Sequence, residues 1–392
     1  MSSNKFSGRA AIVGVGATEF SKNSGRTEVR LGVEATLAAL ADAGIDPSEV
    51  DGFTTYTMDK VPEYEVGRLI GSKKLRFFSQ TPHGGSGACG PIMHAAMAVA
   101  SGVADVVVAY RAMNERSWYR FGSGNYGFGH SAFFQEVDFG WYMPHGFLTP
   151  ASWVAMYAQR YMHEYGANTE DFGRISVAAR DFASTNPAAF FYGKPITLEE
   201  HQNSRWICEP LRLLDCCQES DGAVAVVITS AERARDLRQK PVLIKGASQG
   251  ATDDQQMMTS YYRKSITGLP EMGVVASELY QQSGLSPSDI QAAVLYDHFS
   301  FFVLVQLEEF GFVKRGEAKE FVRSGHHARG GRLPINPHGG QLGEAYIHGM
   351  NGIAEGVRQV RGKAVNQVEN VQNVVVTGGA GAPTSGIILG VA

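Results

Sequence analysis

Two distant stretches of this chain follow one template. Gly44-Ile-Asp-Pro-Ser-Glu-Val leads into a strand ending at Tyr56, and Gly284-Leu-Ser-Pro-Ser-Asp-Ile leads into a strand ending at Tyr296, with the same length between landmarks. Three more pairs keep the same order. Ile12-Val13-Gly14 answers Leu243-Ile244-Lys245-Gly246, His83-Gly84-Gly85 answers His338-Gly339-Gly340, and Val106-Val107-Val108 answers Val374-Val375-Val376. Such a repeat of strands, turns and helices predicts two α/β halves, residues 1–240 and 241–392, meeting near Lys240-Pro241.

The halves are unequal. From about 111 to 219 the first carries an insertion with no counterpart, opening with Trp, Tyr and Phe residues from Trp118 to Phe147 set among glycines. That composition suits either a subunit interface or an apolar wall for a large hydrophobic ligand. Apolar spacing predicts helices over 26–43, 152–165 and 170–184, the first stopped by Gly44, and a buried strand over Asp221–Ile228. The second half holds the most distinctive loop, His338-Gly339-Gly340 through Glu344-Ala345-Tyr346-Ile347-His348-Gly349. It is expected to run into a helix with Tyr346 near its start; its mate in the first half opens with glycine, serine and alanine and carries no tyrosine.

With 44% hydrophobic and 19% charged residues among 392, the chain can build two substantial cores. A net charge of −4 supplies no basic field for nucleic acid or an anionic membrane. The start has no apolar signal core and no stretch of about 18 apolar residues occurs, so a cytoplasmic protein is expected. Gly14-Val15-Gly16 lacks the third glycine and the acidic residue of a dinucleotide site. Cys89, Cys208, Cys216 and Cys217 form no disulfide framework, and neither they nor His326-His327 have metal-ligand spacing, so no metal is expected.

The duplicated halves, the Gly85-Ser86-Gly87 loop before a helix, Asp221-Gly222-Ala223, Gly339-Gly340 and Gly378-Gly379-Ala380-Gly381 resemble the thiolase superfamily over nearly the whole chain. That resemblance implies an α/β thiolase fold, a five-layered αβαβα pairing of the halves. Thiolases place a nucleophilic cysteine where this chain has Gly85, with Cys89 four residues on. Their Asn-Glu-Ala-Phe motif falls on Tyr296-Asp297-His298-Phe299, their Gly-His-Pro histidine on Tyr346, and their second cysteine on Val376 or Thr377. Without sulfur at these positions, acyl transfer through a thiolate is not expected.

Leu-Tyr-Asp-His-Phe and Gly-Glu-Ala-Tyr-Ile-His-Gly are similar instead to the thiolase-like aldol lyases, termed lipid-transfer proteins, that cleave CoA-activated steroid side chains. The resemblance implies retro-aldol cleavage of a 17-hydroxy steroid bearing a three-carbon CoA thioester, giving a 17-keto steroid and propionyl-CoA. Tyr296 and Tyr346 are the implied acid/base pair, with the choice of base left open. Asp297 and His298 either tune them or cap the next helix; His338, Glu344 and His348 support the loop. Gly85, Ser86, Gly339, Gly340 and Gly379 are expected to line the thioester and polarise its carbonyl.

A phenol ionises near pH 10, so a tyrosine base needs a helix N-terminus or a positive neighbour, for which the helix expected at Tyr346 and the nearby histidines are the candidates. No cofactor is demanded, because the thioester accepts the electrons and CoA belongs to substrate and product. The resemblance also implies a homodimer and a small acyl-CoA-associated partner with an OB-fold and zinc ribbon, linked to an enoyl-CoA hydratase. Two other readings stay open: a degenerate thiolase serving as lipid carrier or scaffold, and a thiolase using a displaced Cys89.

Overall fold

A computed structural model describes residues 7–58, 60–82, 84–118, 120, 141–254, 260–379 and 384–392. His83, the aromatic residues from Tyr119 to Phe139, Ala380 and Gly381 lie outside the described residues.

The chain opens with a buried apolar strand, β1 (Ala10–Ala17). Helix α1 (Glu28–Ala43) begins where the Thr27 side chain accepts the Arg30 N–H and ends at Gly44, whose φ of 72° only glycine adopts readily. Asp46 caps a single 3-10 turn that delivers the chain into β2 (Gly52–Tyr56). Then follow α2 (Glu63–Ile70), β3 (Phe77–Thr81), α3 (Gly90–Ala100) and β4 (Val106–Asn114). The insertion contributes α4 (Pro150–Tyr165), α5 (Thr169–Thr185), α6 (Leu198–Asn203) and a small hairpin, β5 (Trp206–Cys208) with β6 (Leu211–Arg212). β7 (Asp221–Ser230), α7 (Ala231–Ala234) and β8 (Val242–Gly250) lead into the second half. There lie α8 (Pro270–Ser283), β9 (Ala292–Val294), α9 (Ser300–Glu309), α10 (Ala318–Arg323), α11 (Gly340–Gly343), α12 (Met350–Arg361), β10 (Asn373–Thr377) and β11 (Thr384–Val391).

The main sheet runs β3-β2-β4-β7-β1-β8-β11-β10-β9. β1 and β8 meet antiparallel through Ala11 and Ile12 opposite Leu243 and Val242. Outward from that seam, β7 answers β11, β4 answers β10 and β2 answers β9; a parallel bridge from Ala293 to Ile335 stands where β3 stands in the first half. Helices α3 and α12 fill the middle, with Ile92, Ala96, Ile353 and Val357 packed among Val107, Val226, Ile244 and Leu389 of both half-sheets. α1 and α2 cover one outer face through Leu31, Leu40 and Val66. Each such aliphatic side chain removed from water contributes about 1.5–3 kcal/mol. α8 and α9 cover the other outer face, which completes the αβαβα layering of a thiolase fold.

Three local expectations change. β4 continues to Asn114, beyond the expected start of the insertion at 111, because every residue from Val106 pairs with β7. β9 ends at Val294, two residues before Tyr296, whose N–H goes instead to the side chains of Gln306 and Thr377. Tyr346 does not start a helix: α12 begins at Met350, because His348 (φ 47°) and Gly349 (φ 85°) are left-handed and break the helical path before it. The insertion also crosses to the other half. α4 and α5 pack on the second half's outer face, and Arg323 binds Asp171 of α5 at 2.7 Å.

Candidate active site

The glycine-rich loop is shaped by groups behind it. Asp297 Oδ1 accepts the Gln341 N–H at 2.7 Å and so anchors the start of α11. A Cβ on Gly340 would fall on the Asp297 carboxylate, and one on Gly339 (φ 111°) would press into Ala183 of α5, so both positions require glycine. Glu344 is held from two sides, by Asn186 Nδ2 at 3.1 Å and Asn351 Nδ2 at 3.0 Å. His338 stands behind it, Nε2 3.9 Å from Glu344 Oε2, and its carbonyl accepts from Asn186. Gly339, Gly340, Asp297, His338 and Glu344 thus brace the loop; Asp297 caps α11, while α9 has no side-chain cap.

In front of that brace the two tyrosines meet. The Tyr296 hydroxyl donates to the Tyr346 hydroxyl at 3.1 Å, with the rings edge to face. Tyr296 is buried; Tyr346, Gly85 and Ser86 keep partial exposure. Gly85, Gly349 and Gly379 make the slot for the Tyr296 ring. A Cβ on Gly85 would collide with its hydroxyl, one on Gly379 would lie 2.7 Å from Cε1, and the Gly379 N–H donates to the Gly85 carbonyl at 2.8 Å. The Ser86 carbonyl accepts from Ser385 at 2.8 Å, fixing the rim of the slot. The Tyr346 N–H donates to Ser220 Oγ at 3.1 Å.

Two imidazoles flank the phenols. His298 stacks on Phe302 and lies 4.9 Å from the Tyr296 ring; His348 lies 4.9 Å from the Tyr346 ring on its left-handed backbone. Burial lowers His298 to about 3 and holds His348 well below the usual range, so both are neutral. Burial likewise raises both phenols well above their ordinary value, and both are protonated at neutral pH. The positive neighbour sought among the histidines is therefore elsewhere. Arg111, buried on β4, is the cation whose charge favours the Tyr296 phenolate, and Glu115 just beyond β4 opposes it. Sequence reading assigned both to the insertion, although an arginine in the odd-numbered register of an apolar strand was a usable signal.

A family model described as Thiolase C-terminal domain-like matches residues 251–390. A 17-hydroxy-3-oxo-4-pregnene-20-carboxyl-CoA lyase of Mycobacterium tuberculosis is 63% identical over 384 residues, covering 98% of this chain and 100% of that protein. A steroid side-chain-cleaving aldolase of Thermomonospora curvata is 62% identical over 383 residues, covering 98% of each. The chain belongs to the thiolase superfamily, in its aldolase branch. A solved structure of an Ltp2-ChsH2(DUF35) aldolase superposes with a TM-score of 0.94 at 61% identity, covering 98% of both chains.

Within that superfamily this member's departures are spatially linked. At Gly85, the position that the resemblance gives to the nucleophile, the space a Cβ would need is filled by the Tyr296 hydroxyl. Cys89, the displaced candidate, is fully buried at the start of α3; its thiol faces the Val376 carbonyl at 3.6 Å, and burial pushes it up to about 12. Thr377, in the second cysteine's region, donates to Gln306 at 2.6 Å and accepts the Tyr296 N–H at 2.9 Å, so it holds the phenol's backbone. Tyr56, the repeat mate of Tyr296, is a core residue whose hydroxyl donates to the Ala88 carbonyl at 2.9 Å.

Proposed function

We propose that this enzyme cleaves a 17-hydroxy steroid carrying a three-carbon side-chain CoA thioester by a retro-aldol reaction, yielding a 17-keto steroid and propionyl-CoA. The high identity to a 17-hydroxy-3-oxo-4-pregnene-20-carboxyl-CoA lyase and to a steroid side-chain-cleaving aldolase, over 98% or more of each, supports the reaction class. The observation that carries the chemistry is the bonded phenol pair lying where a thiolase would keep its nucleophile.

A retro-aldol cleavage moves one proton from the alcohol oxygen to the thioester α-carbon while the carbon–carbon bond breaks. The pair can do this without either phenol ionising beforehand. The alcohol proton passes to the Tyr296 oxygen, the Tyr296 proton crosses the 3.1 Å bond to Tyr346, and the Tyr346 proton goes to the α-carbon. The electrons of the broken bond pass through the thioester enolate, whose oxygen is stabilised by the loop around Gly85 and Ser86 and by the neutral imidazoles of His298 and His348, while Gly379 holds that loop in place. No cofactor is required for these steps.

The assembly proposed is a homodimer with a second, small acyl-CoA-associated polypeptide of OB-fold and zinc-ribbon type, connected to an enoyl-CoA hydratase. β3 is the last strand of the sheet, with Phe78 68% exposed on it, an edge that a second copy would cover. Trp118 and Trp141, both exposed in the first part of the insertion, are offered to the second polypeptide. Phe78→Lys should yield monomers in sedimentation; an unchanged dimer would remove β3 from the interface. Among the described residues no helix is long and apolar enough to cross a membrane.

The deciding experiment is one incubation with the hydroxylated steroidal CoA ester, read by mass spectrometry. Ketone and propionyl-CoA in equal amounts support the reading; no cleavage, or cleavage that consumes free CoA, overturns it.

A further inference from the structure

β9 ends at Val294, opposite Val376 of β10, so Leu295 and Tyr296 lie beyond the last paired residue of that ladder. Side-chain amides replace the strand bonds there. Asn336 Nδ2 donates to the Leu295 carbonyl at 2.9 Å. Gln306, buried on α9, meets Tyr296 as a peptide group would: its Oε1 accepts the Tyr296 N–H at 3.2 Å and its Nε2 donates to the Tyr296 carbonyl at 2.9 Å. The rest of the amide is engaged as well. Thr377 Oγ1 donates to Oε1 at 2.6 Å, and the Phe302 carbonyl accepts from Nε2 at 2.9 Å. Thr377 Oγ1 also accepts the Tyr296 N–H at 2.9 Å, which closes a ring between that N–H and the two side chains. The carboxamide oxygen thus faces two donors and its nitrogen two carbonyls, which uses its full capacity. The proton relay above includes neither Gln306 nor Thr377.

We propose that Gln306, bridged by Thr377, is a positioning residue for Tyr296: it fixes the backbone from which the phenol reaches the Gly85 slot, and so sets the 3.1 Å bond to Tyr346. The inference rests on the cleavage reading, in which a proton crosses that bond. The phenol oxygen lies at the far end of its side chain, so a small rotation of the Tyr296 peptide becomes a larger shift at the oxygen. A misplacement of about 1 Å at reacting atoms can cost roughly 10²-fold. The position requires a group that both donates and accepts. Methionine fills the space and does neither. An uncharged glutamic acid still accepts from Tyr296 and Thr377 and donates once; ionised, it has only acceptors to set against the Tyr296 and Phe302 carbonyls. The clamp then opens, and proton transfer slows while the ester still binds.

The test is kcat and KM on the steroidal CoA ester across pH for the parent, Gln306→Met and Gln306→Glu, with the fold followed by circular dichroism and every rate taken well below the Tm. Gln306→Met should lose about 10²-fold in kcat at every pH, while KM moves less than about threefold. Gln306→Glu should recover most of that loss on the acid side, where its carboxyl is neutral, and give it up as rising pH ionises the group. Thr377→Val, which removes the bridging hydroxyl at similar volume, should lower kcat about tenfold or more, and Thr377→Ser should regain most of it. Side chains that served stability alone would lower the Tm and leave these rates in place. Parental kcat in folded Gln306→Met, or a loss carried by KM, overturns the proposal. So does a Gln306→Glu enzyme no faster than Gln306→Met on the acid side. If neither variant at 306 folds, parental kcat in Thr377→Val overturns it alone. A parent enzyme that does not cleave the ester would count against the cleavage reading instead.

Discussion

The hydroxyl of Tyr296 occupies the space that a Cβ on Gly85 would fill. A nucleophilic side chain at position 85 and a phenol at position 296 are therefore mutually exclusive, and in this chain the exchange has gone to the phenol.

Gly85→Cys should not restore thiolysis. The new Cβ must displace Tyr296, which breaks its bond to Tyr346, and overpacking a filled core costs about 1–3 kcal/mol. We expect a lower Tm and at least about a 10²-fold loss of aldol turnover. Thiolytic activity appearing with Tyr296 still bound to Tyr346 in a crystal structure would contradict this.

Tyr296→Phe and Tyr346→Phe each remove one oxygen from the relay. Each should reduce kcat by roughly 10²-fold or more with little change in ester affinity, and the double change should cost less than the product of the singles. Exchange of the propionyl-CoA α-proton with heavy water should need Tyr346. Near-normal turnover in folded Tyr346→Phe would take the chemistry out of this loop.

Cys89→Ala should leave kcat within a few-fold, and iodoacetamide should not inactivate the enzyme through this residue. Its thiol is sealed against β10 and, at about 12, is almost entirely protonated near neutrality. Inactivation that tracks alkylation of Cys89 in peptide mapping would revive the displaced-thiolase reading.

His338 supplies a stability test. Its folded value, about 3, lies below the ordinary 6.5 because burial disfavours the charged ring. The unfolded chain therefore takes up the proton first, and stability is lost as pH falls from about 6.5 toward 3. By pH 5 that loss is on the order of 2 kcal/mol. His338→Gln, which cannot charge, should fall behind the parent in Tm at pH 7.5 by more than at pH 5, values chosen to be about one unit or more on either side of 6.5. An equal gap at both would mean that the ring is not held neutral.

Much of the fold was legible because the signals were local. The stop at Gly44 and the valine runs that became β4 and β10 lie within a few residues of what they determine. The tyrosine pair came from family resemblance, and its meeting across the Gly85 slot needed coordinates. Glycine followed by small residues reads as helix-permissive and so puts Tyr346 at a helix start; the left-handed turn at His348 and Gly349 is marked in residue type only by its glycine. Arg111 was hidden for a different reason: its surroundings depend on which face of β4 meets the centre, and that is decided by α3 and α12.

Ala183, on an insertion belonging to the first half, presses its methyl group against the positions that Cβ atoms on Gly339 and Gly343 would need. Heredity within the chain is thereby uneven. The insertion and the glycine-rich loop cannot drift apart freely, since a larger residue at 183 would be felt as a misplaced loop at 339. Selection on the loop therefore reaches a helix of the insertion.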